Sequence, residues 1–351
     1  MMKILVTGGC GFIGSAVVRH LIDATEHAVV NVDTMTYAAT SGSVASVAHD
    51  ERYRHLDIDI CDAEAVRAAF VDHQPDAVIH LAAESHVDRS IDGPERFVST
   101  NVVGTMHLLQ AARELMATRA DGGVDFRFVH VSTDEVFGAL RPTDSPFTEA
   151  TPYAPRSPYA ASKASADHLA RAWGETYGLP VVVTNCSNNY GPFQFPEKLI
   201  PLAALKAVAE HPVPVYGRGE NVRDWLHVDD HAAALTAVLT NGRVGDTYLV
   251  GGNAQRTNLD VVTTICDLVD DRLGVPPAGP RRQRIEFVTD RPGHDLRYAV
   301  DASKLRDELG WTPSVTFEEG LARTIDWYLA NESWWAPIHA ASDAGRRLGL
   351  S

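Results

Sequence analysis

Glycines at positions 8, 11 and 14 stand in the stretch Thr7-Gly8-Gly9-Cys10-Gly11-Phe12-Ile13-Gly14, directly after the apolar run Lys3 to Thr7 and directly before a helical pattern. Such a chain must turn sharply from strand to helix. The missing side chains let backbone N–H groups close on a pyrophosphate, whose charge also gains from the helix N-terminus. Alone the spacing is a weak signal, so its surroundings decide its weight. β-branched runs alternate with helical patterns at Lys3 to Thr7, Ala28 to Val32, Arg54 to Asp57, Ala77 to Leu81, Phe126 to Val131 and Val181 to Thr184. Nearly continuous apolar runs are what strands need when helices cover both faces of their sheet. The pattern predicts an α/β fold built on a doubly wound parallel sheet.

The strand ends then supply a cofactor site of Rossmann-like character. The second strand ends in Asp33, nineteen positions beyond Gly14, where a carboxylate accepts both ribose hydroxyls of NAD and repels a 2′-phosphate. An aspartate there is also an ordinary turn former. Asp59 and Ile60, after the third strand, are placed to hold the adenine. The small residues of Leu81-Ala82-Ala83-Glu84-Ser85 let a dinucleotide pass over the fourth strand end. NAD is therefore expected rather than NADP.

Past Asn185 the regular alternation breaks at Asn188-Asn189-Tyr190-Gly191-Pro192 and at Pro196, Pro201, Pro212 and Pro214. A smaller mixed α/β C-terminal, substrate-binding lobe is expected from there. Arg223 to Val228, the helical run Asp229 to Leu239 and Thr247 to Val250 read as one more sheet unit of the first lobe. The expected division is residues 1–189 plus about 223–253 for the NAD-binding lobe, about 190–222 plus 254–337 for the second, and a loosely ordered tail at 338–351.

Two local patterns carry acid–base chemistry. Tyr159 and Lys163 are four apart, hence on one helix face; an ammonium there would lower the phenol from its usual ~10 and prepare it to take a proton. The plain alternative is an exposed helical pair. Thr133-Asp134-Glu135 follows the fifth strand at the carboxyl edge of the sheet, where open α/β proteins bind ligands. By itself it reads as a cap with an acidic first turn. Beside an NAD site, two adjacent carboxyls can be driven apart in pKa into one acid and one base.

These motifs, with Ala82-Ala83-Glu84-Ser85-His86-Val87-Asp88-Arg89-Ser90, Val131 to Gly138, Asn185 to Pro192, Pro196 to Pro201, Arg223 to Val228 and Asp290 to Asp295, resemble those of the dTDP-glucose 4,6-dehydratases of the extended short-chain dehydrogenase/reductase superfamily. The likeness runs from about residue 3 to 336. It implies that Tyr159, with Lys163, removes the 4-hydroxyl proton during oxidation at C4, that Glu135 takes the C5 proton, and that Asp134 protonates the departing C6 hydroxyl. NAD is then regenerated in each turnover and stays bound. Thr133 would hydrogen-bond the 4-oxygen. Ser85, Thr100, Ser132, Lys163 and Asn189 are implied contacts of NAD. Ser85, Asn188, Lys198, Leu199, Arg223, Asn258, Arg291 and His294 are implied contacts of the nucleotide sugar, the arginine forks suiting its diphosphate. Pro214 and Tyr216 would flank the base. UDP- and CDP-glucose stay open as substrates, as does related epimerase or decarboxylase chemistry. Phe137 departs from the family, which more often has tyrosine there. Relatives are typically homodimers, here through the helices holding Pro94 to Met116 and Ser157 to Tyr177.

Composition narrows the partners. A net charge of −15 argues against nucleic acid, whose affinity comes from lysine and arginine on phosphates. No apolar stretch approaches the ~20 residues of a membrane span, and the first residues do not read as a signal peptide. Cys10, Cys61, Cys186 and Cys266 lie far apart, which suggests reduced thiols in the cytoplasm. His227 and His231 are four apart without a third ligand, so no metal is expected. Trp334 and Trp335 are expected to pack a terminal helix.

Overall fold

The computed structural model describes residues 1–119, 123 and 125–341. Its strands are β1 (Lys3–Thr7), β2 (Ala28–Val32), β3 (Tyr53–Leu56), β4 (Ala77–His80), β5 (Arg127–Thr133), β6 (Val181–Cys186), β7 (Asn188–Tyr190), β8 (Val213–Tyr216), β9 (Val222–His227), β10 (Thr247–Val250), β11 (Gln255–Thr257) and β12 (Ile285–Val288). Helices α1 (Phe12–Ala24), α2 (Ala63–His73), α3 (Val87–Asp92), α4 (Pro94–Phe97), α5 (Thr105–Thr118) and α6 (Pro158–Tyr177) belong to the first half. α7 (Leu199–Val208), α8 (Val228–Asn241), α9 (Asn258–Leu273), α10 (Ser303–Leu309), α11 (Phe317–Ala330) and α12 (Glu332–Ala341) follow.

Seven strands form one sheet in the order β10-β6-β5-β4-β1-β2-β3, and every pair in it is parallel. Alternate side chains of each strand point to opposite faces. Ile4, Val6, Ile79 and Val129 pack with Val17, Leu21 and Leu235 of α1 and α8. Leu5, Val78, Phe128 and Val183 pack on the other side with Phe70, Leu108 and Ala170 of α2, α5 and α6. Both faces are dry, which is why the strands read as unbroken apolar runs.

The strand order reverses direction at β1, so the loops after β1 and β4 part and leave a crevice at the carboxyl edge. A second core gathers Ile200, Ala203, Val213, Val261, Ile265 and Leu321 from α7, β8, α9 and α11. One expectation needs correction. β10 joins the large sheet beside β6, but β9 does not: it pairs with β7 and β11 in a separate three-stranded sheet. Its neighbours are thus set by a long-range pairing that its own apolar run cannot encode. β8 and β12 make a further parallel pair. The expected tail begins inside α12, and residues 342–351 lie outside the described residues.

Candidate active site

The glycine loop is held by contacts that exclude side chains. Gly8 has φ +72°, and a Cβ on it would lie 2.8 Å from the Ala82 backbone; a Cβ on Gly14 would lie 2.0 Å from the Gly8 carbonyl oxygen. Asp33 accepts the Cys10 N–H at 2.8 Å on one carboxylate oxygen and the Met35 N–H at 2.9 Å on the other. Its carboxyl is raised by burial, and these two N–H groups work against the rise. A cavity of about 610 Å³ opens over the strand ends. Gly8, Gly11, Phe12, Ile13, Gly14, Asp33, Asp59, Ile60, Leu81, Ala82, Ala83, Ser85, Thr100, Ser132 and Asn189 all line it, and so do Thr133, Asp134, Glu135, Tyr159, Lys163, Asn188 and Lys198. The elongated cradle, its glycine floor and the carboxylate beyond β2 fit a dinucleotide such as NAD.

At the acid–base end, β5 stops at Thr133, whose hydroxyl caps the next turn by accepting the Glu135 N–H at 3.3 Å. The capping role and the site role are therefore held by the same residue. Asp134 is 2% exposed, and one of its carboxyl oxygens has no hydrogen-bond partner. Burial, then the charge of Glu135, pushes it well above the ordinary carboxylate range. Glu135 is also raised by burial, but Arg291, Arg223 and Lys198 pull it back. The two neighbours thus divide into a carboxyl that keeps its proton and one that three cations favour as the anion.

Ser157 caps α6 by accepting the Ala160 N–H, with Pro158 in the first turn, and the helix presents Tyr159 and Lys163 to the cavity. Lys163 donates from Nζ to the Val131 carbonyl at 2.9 Å. The expected lowering of the Tyr159 phenol by this lysine is not found in the protein alone. Burial, followed by Glu135 and Cys186, drives the phenol well up, while the Thr133 hydroxyl works the other way.

Seven residues assigned to the sugar nucleotide lie beyond the cavity wall. Tyr216 donates to Asp88 at 3.2 Å, Arg291 donates to the other oxygen of Asp88 at 3.2 Å, and the His294 ring meets Tyr216 edge-on. Arg223 is buried, donates to the carbonyls of Val222 and Asp295, and stacks 4.3 Å over Tyr298. Both arginines still act on Glu135. Leu199 packs against the second core, Pro214 of β8 pairs opposite Glu286 of β12, and Asn258 opens α9 with its N–H on the Asn221 carbonyl. Lys198, at the start of α7, reaches back to the Ser85 carbonyl at 3.2 Å.

Some contacts around the site are not singled out by a linear reading. Glu197 accepts from Tyr37 at 3.1 Å and from Arg89 at 3.3 Å, tying the loop after β2 to the segment before α7. Asp88 of α3 joins Tyr216 of β8 and Arg291, which lie far along the chain from it. His231 shares a 2.9 Å hydrogen bond with the Asn189 side chain, which gives that histidine a partner other than a metal. Among the described residues no group of three or more His, Cys, Asp or Glu is gathered as a metal site. Trp334 packs edge-on to Phe193 and Trp327, and Trp335 donates to the Tyr328 carbonyl. Among the described residues no helix is long and apolar enough to cross a membrane.

A family model described as GDP-mannose 4,6 dehydratase matches residues 5–324. The chain is 56% identical over 360 residues to a dTDP-glucose 4,6-dehydratase of Escherichia coli, covering 99% of each. Among solved structures it resembles the Streptomyces venezuelae dTDP-glucose 4,6-dehydratase determined with NAD and dTDP, at 45% identity and TM-score 0.86 over 96% of this chain and 100% of that one. A Thermus thermophilus UDP-glucose 4-epimerase bound to NAD shares the fold at 29% identity and TM-score 0.81, over 94% and 100% of the two chains.

Proposed function

The chain belongs to the dTDP-glucose 4,6-dehydratase family, and from that premise we propose how its residues convert dTDP-glucose to dTDP-4-keto-6-deoxyglucose as an NAD-dependent lyase. The bound dinucleotide supplies the acceptor for the C4 hydride and the donor that returns it to C6. The protein does the rest.

Tyr159, as its phenolate, accepts the proton of the sugar 4-hydroxyl, with the Lys163 ammonium as the proposed counter-charge to that phenolate and Thr133 donating to the developing 4-oxygen. A ketone at C4 acidifies the C5 proton, so oxidation precedes elimination. Glu135, kept in reach of its anionic form by Arg291, Arg223 and Lys198, takes that proton. Asp134, kept protonated by burial, gives its proton to the C6 hydroxyl, which leaves as water. Glu135 then returns its proton to C5, and the proton taken up by Tyr159 restores the Asp134 acid for the next turnover. The observation that carries this reading is the adjacent, unequally placed pair Asp134 and Glu135 on the same cavity as Tyr159.

Asp33 is proposed to bind the ribose hydroxyls, and Ser85, Asn188 and Lys198 the sugar side of the cavity. Arg223, Arg291, Tyr216 and His294 would receive the diphosphate and base from the second lobe. We further propose a cytoplasmic homodimer. Its support is the free state of all four cysteines and the apolar exposure of Val98, Val103, Met106 and Tyr177 on the two helical segments named for pairing; light scattering tests it. The division into a NAD-binding lobe of 1–189 plus about 223–253 and a substrate lobe is proposed on the same terms.

The test is a panel of dTDP-, UDP-, CDP- and GDP-glucose with the purified protein. Loss of one water from dTDP-glucose, seen by mass, is expected, together with the absorbance of the keto product in base. Absence of turnover with every glucose nucleotide would overturn the reading, and preference for another base would reassign the substrate.

A further inference from the structure

Asp167 lies one turn beyond Lys163 on the face of α6 that also holds Tyr159, and it is entirely buried. Its carboxylate is enclosed by three side chains from three different segments. His130 of β5 meets one oxygen at 3.0 Å, while Tyr153 donates to the other at 2.7 Å and Asn185 of β6 at 3.2 Å. The same Asn185 amide donates to the Thr133 carbonyl at 3.1 Å. One carboxylate is thus linked, through a single amide, to the strand end that carries Thr133, Asp134 and Glu135.

A buried anion of this kind must be compensated or it takes up a proton. Burial works to raise Asp167, yet the His130 hydrogen bond and the charge of Lys163 outweigh it, and the carboxyl is held below its ordinary value. His130 itself is lowered by burial and serves as a neutral donor. Arg171, also on α6, engages the Tyr153 hydroxyl at 3.0 Å, and Lys163, one turn before Asp167, acts on it through its charge rather than a direct hydrogen bond. For Lys163 the balance is reciprocal: burial lowers it, and Asp167 is the foremost group opposing that fall, followed by Cys186. The Cys186 thiol is pushed up to about 12 by burial, so it contributes no charge at neutral pH.

We propose that Asp167 is a positioning residue for the oxidation step, keeping the Lys163 ammonium charged beside Tyr159 and, through Asn185, fixing the Thr133 end of β5. This rests on the roles proposed above for Tyr159 and Lys163. Asp167 touches none of the reacting atoms and acts through its neighbours.

The oxidation step is separable, because reduced nicotinamide absorbs before water is lost and before Asp134 acts. Asp167→Asn keeps the shape of the side chain and removes its charge. Its oxidation rate on mixing with dTDP-glucose is expected to fall on the order of tenfold or more, with KM changed by less than about twofold. The alkaline limb of its pH–rate profile should move to lower pH, since Lys163 then loses its proton earlier. Asp167→Glu, which restores the charge, should return the limb toward the parent, and Tyr153→Phe, which removes a hydrogen bond without changing charge, should leave it in place. A profile of unchanged shape in Asp167→Asn, merely scaled down, overturns the proposal. If Asp167→Asn yields no folded protein, Asp167→Glu decides: a retained alkaline limb supports the proposal and a limb displaced to lower pH overturns it. Parent protein inert toward dTDP-glucose would instead sink the functional reading itself.

Discussion

The side-chain amide of Asn101 donates to the Ser162 hydroxyl at 2.9 Å, and Ser162 in turn donates to the Tyr159 carbonyl at 2.7 Å. The same amide closes a pair of bonds with the Glu84 backbone, accepting its N–H at 2.9 Å and donating to its carbonyl at 3.0 Å. The stretch Val98–Gly104 of π-helix between α4 and α5 carries Asn101 into this position. A single buried residue thereby joins the loop after β4, over which the dinucleotide is proposed to lie, to the helix that bears Tyr159 and Lys163. Asn101→Ala leaves the Glu84 backbone groups and the Ser162 hydroxyl short of partners, each costing about 1–3 kcal/mol when buried. A clear drop in melting temperature is expected, with kcat falling more than KM rises. A melting temperature and kcat equal to the parent's would show that the linkage has no weight.

Glu135→Gln removes the proposed C5 base and leaves Tyr159 untouched. Oxidation should proceed and elimination stall, so the variant should accumulate the absorbance of reduced nicotinamide and lose about 10²–10⁴ in turnover. Normal turnover would assign the C5 proton to another group. Asp134→Asn removes the proton donor for the C6 oxygen and should show the same early absorbance, because both carboxyls act after C4 is oxidised.

The raised Asp134 carboxyl also makes a prediction about stability. A group whose folded value lies above its unfolded one stabilises the fold fully below the unfolded value, and that contribution disappears as pH rises through the folded value. Burial is the principal cause here, so ionising Asp134 at higher pH works against the fold. Asp134→Asn cannot ionise. Its melting temperature relative to the parent should therefore climb with pH through that window, and a difference that stays flat across the range would contradict the assignment.

Gly14→Ala would set a methyl 2.0 Å from the Gly8 carbonyl oxygen, a contact relieved only by opening the glycine loop. The purified variant should carry less bound NAD than the parent, measured by extraction, and should turn over in proportion to what it retains. Asp33→Asn makes a second, independent test of the cradle. It removes the charge that excludes a 2′-phosphate, so the preference for NAD over NADP should narrow, while a preference as strong as the parent's would move the discrimination elsewhere.

Much of this protein is determined by sequence alone because its signals are local. Glycine spacing, an apolar run buried on two faces and a carboxylate at a strand end each follow from a few adjacent residues, so the parallel sheet, the cofactor loop and the Tyr159/Lys163 and Asp134/Glu135 pairs are legible without coordinates. Their environments are not. Burial and assembled charge decide which carboxyl keeps its proton, through groups as distant in the chain as Arg223 and Arg291, and why the Tyr159 phenol rises beside Glu135 and Cys186. Long-range pairing likewise decides that β9 leaves the main sheet, and that Asn101, Asp167 and Asp88, each an unremarkable polar residue in its own segment, become the ties between segments. Tertiary structure decides these matters because hydrogen bonding and desolvation act between groups that only the folded chain brings into contact.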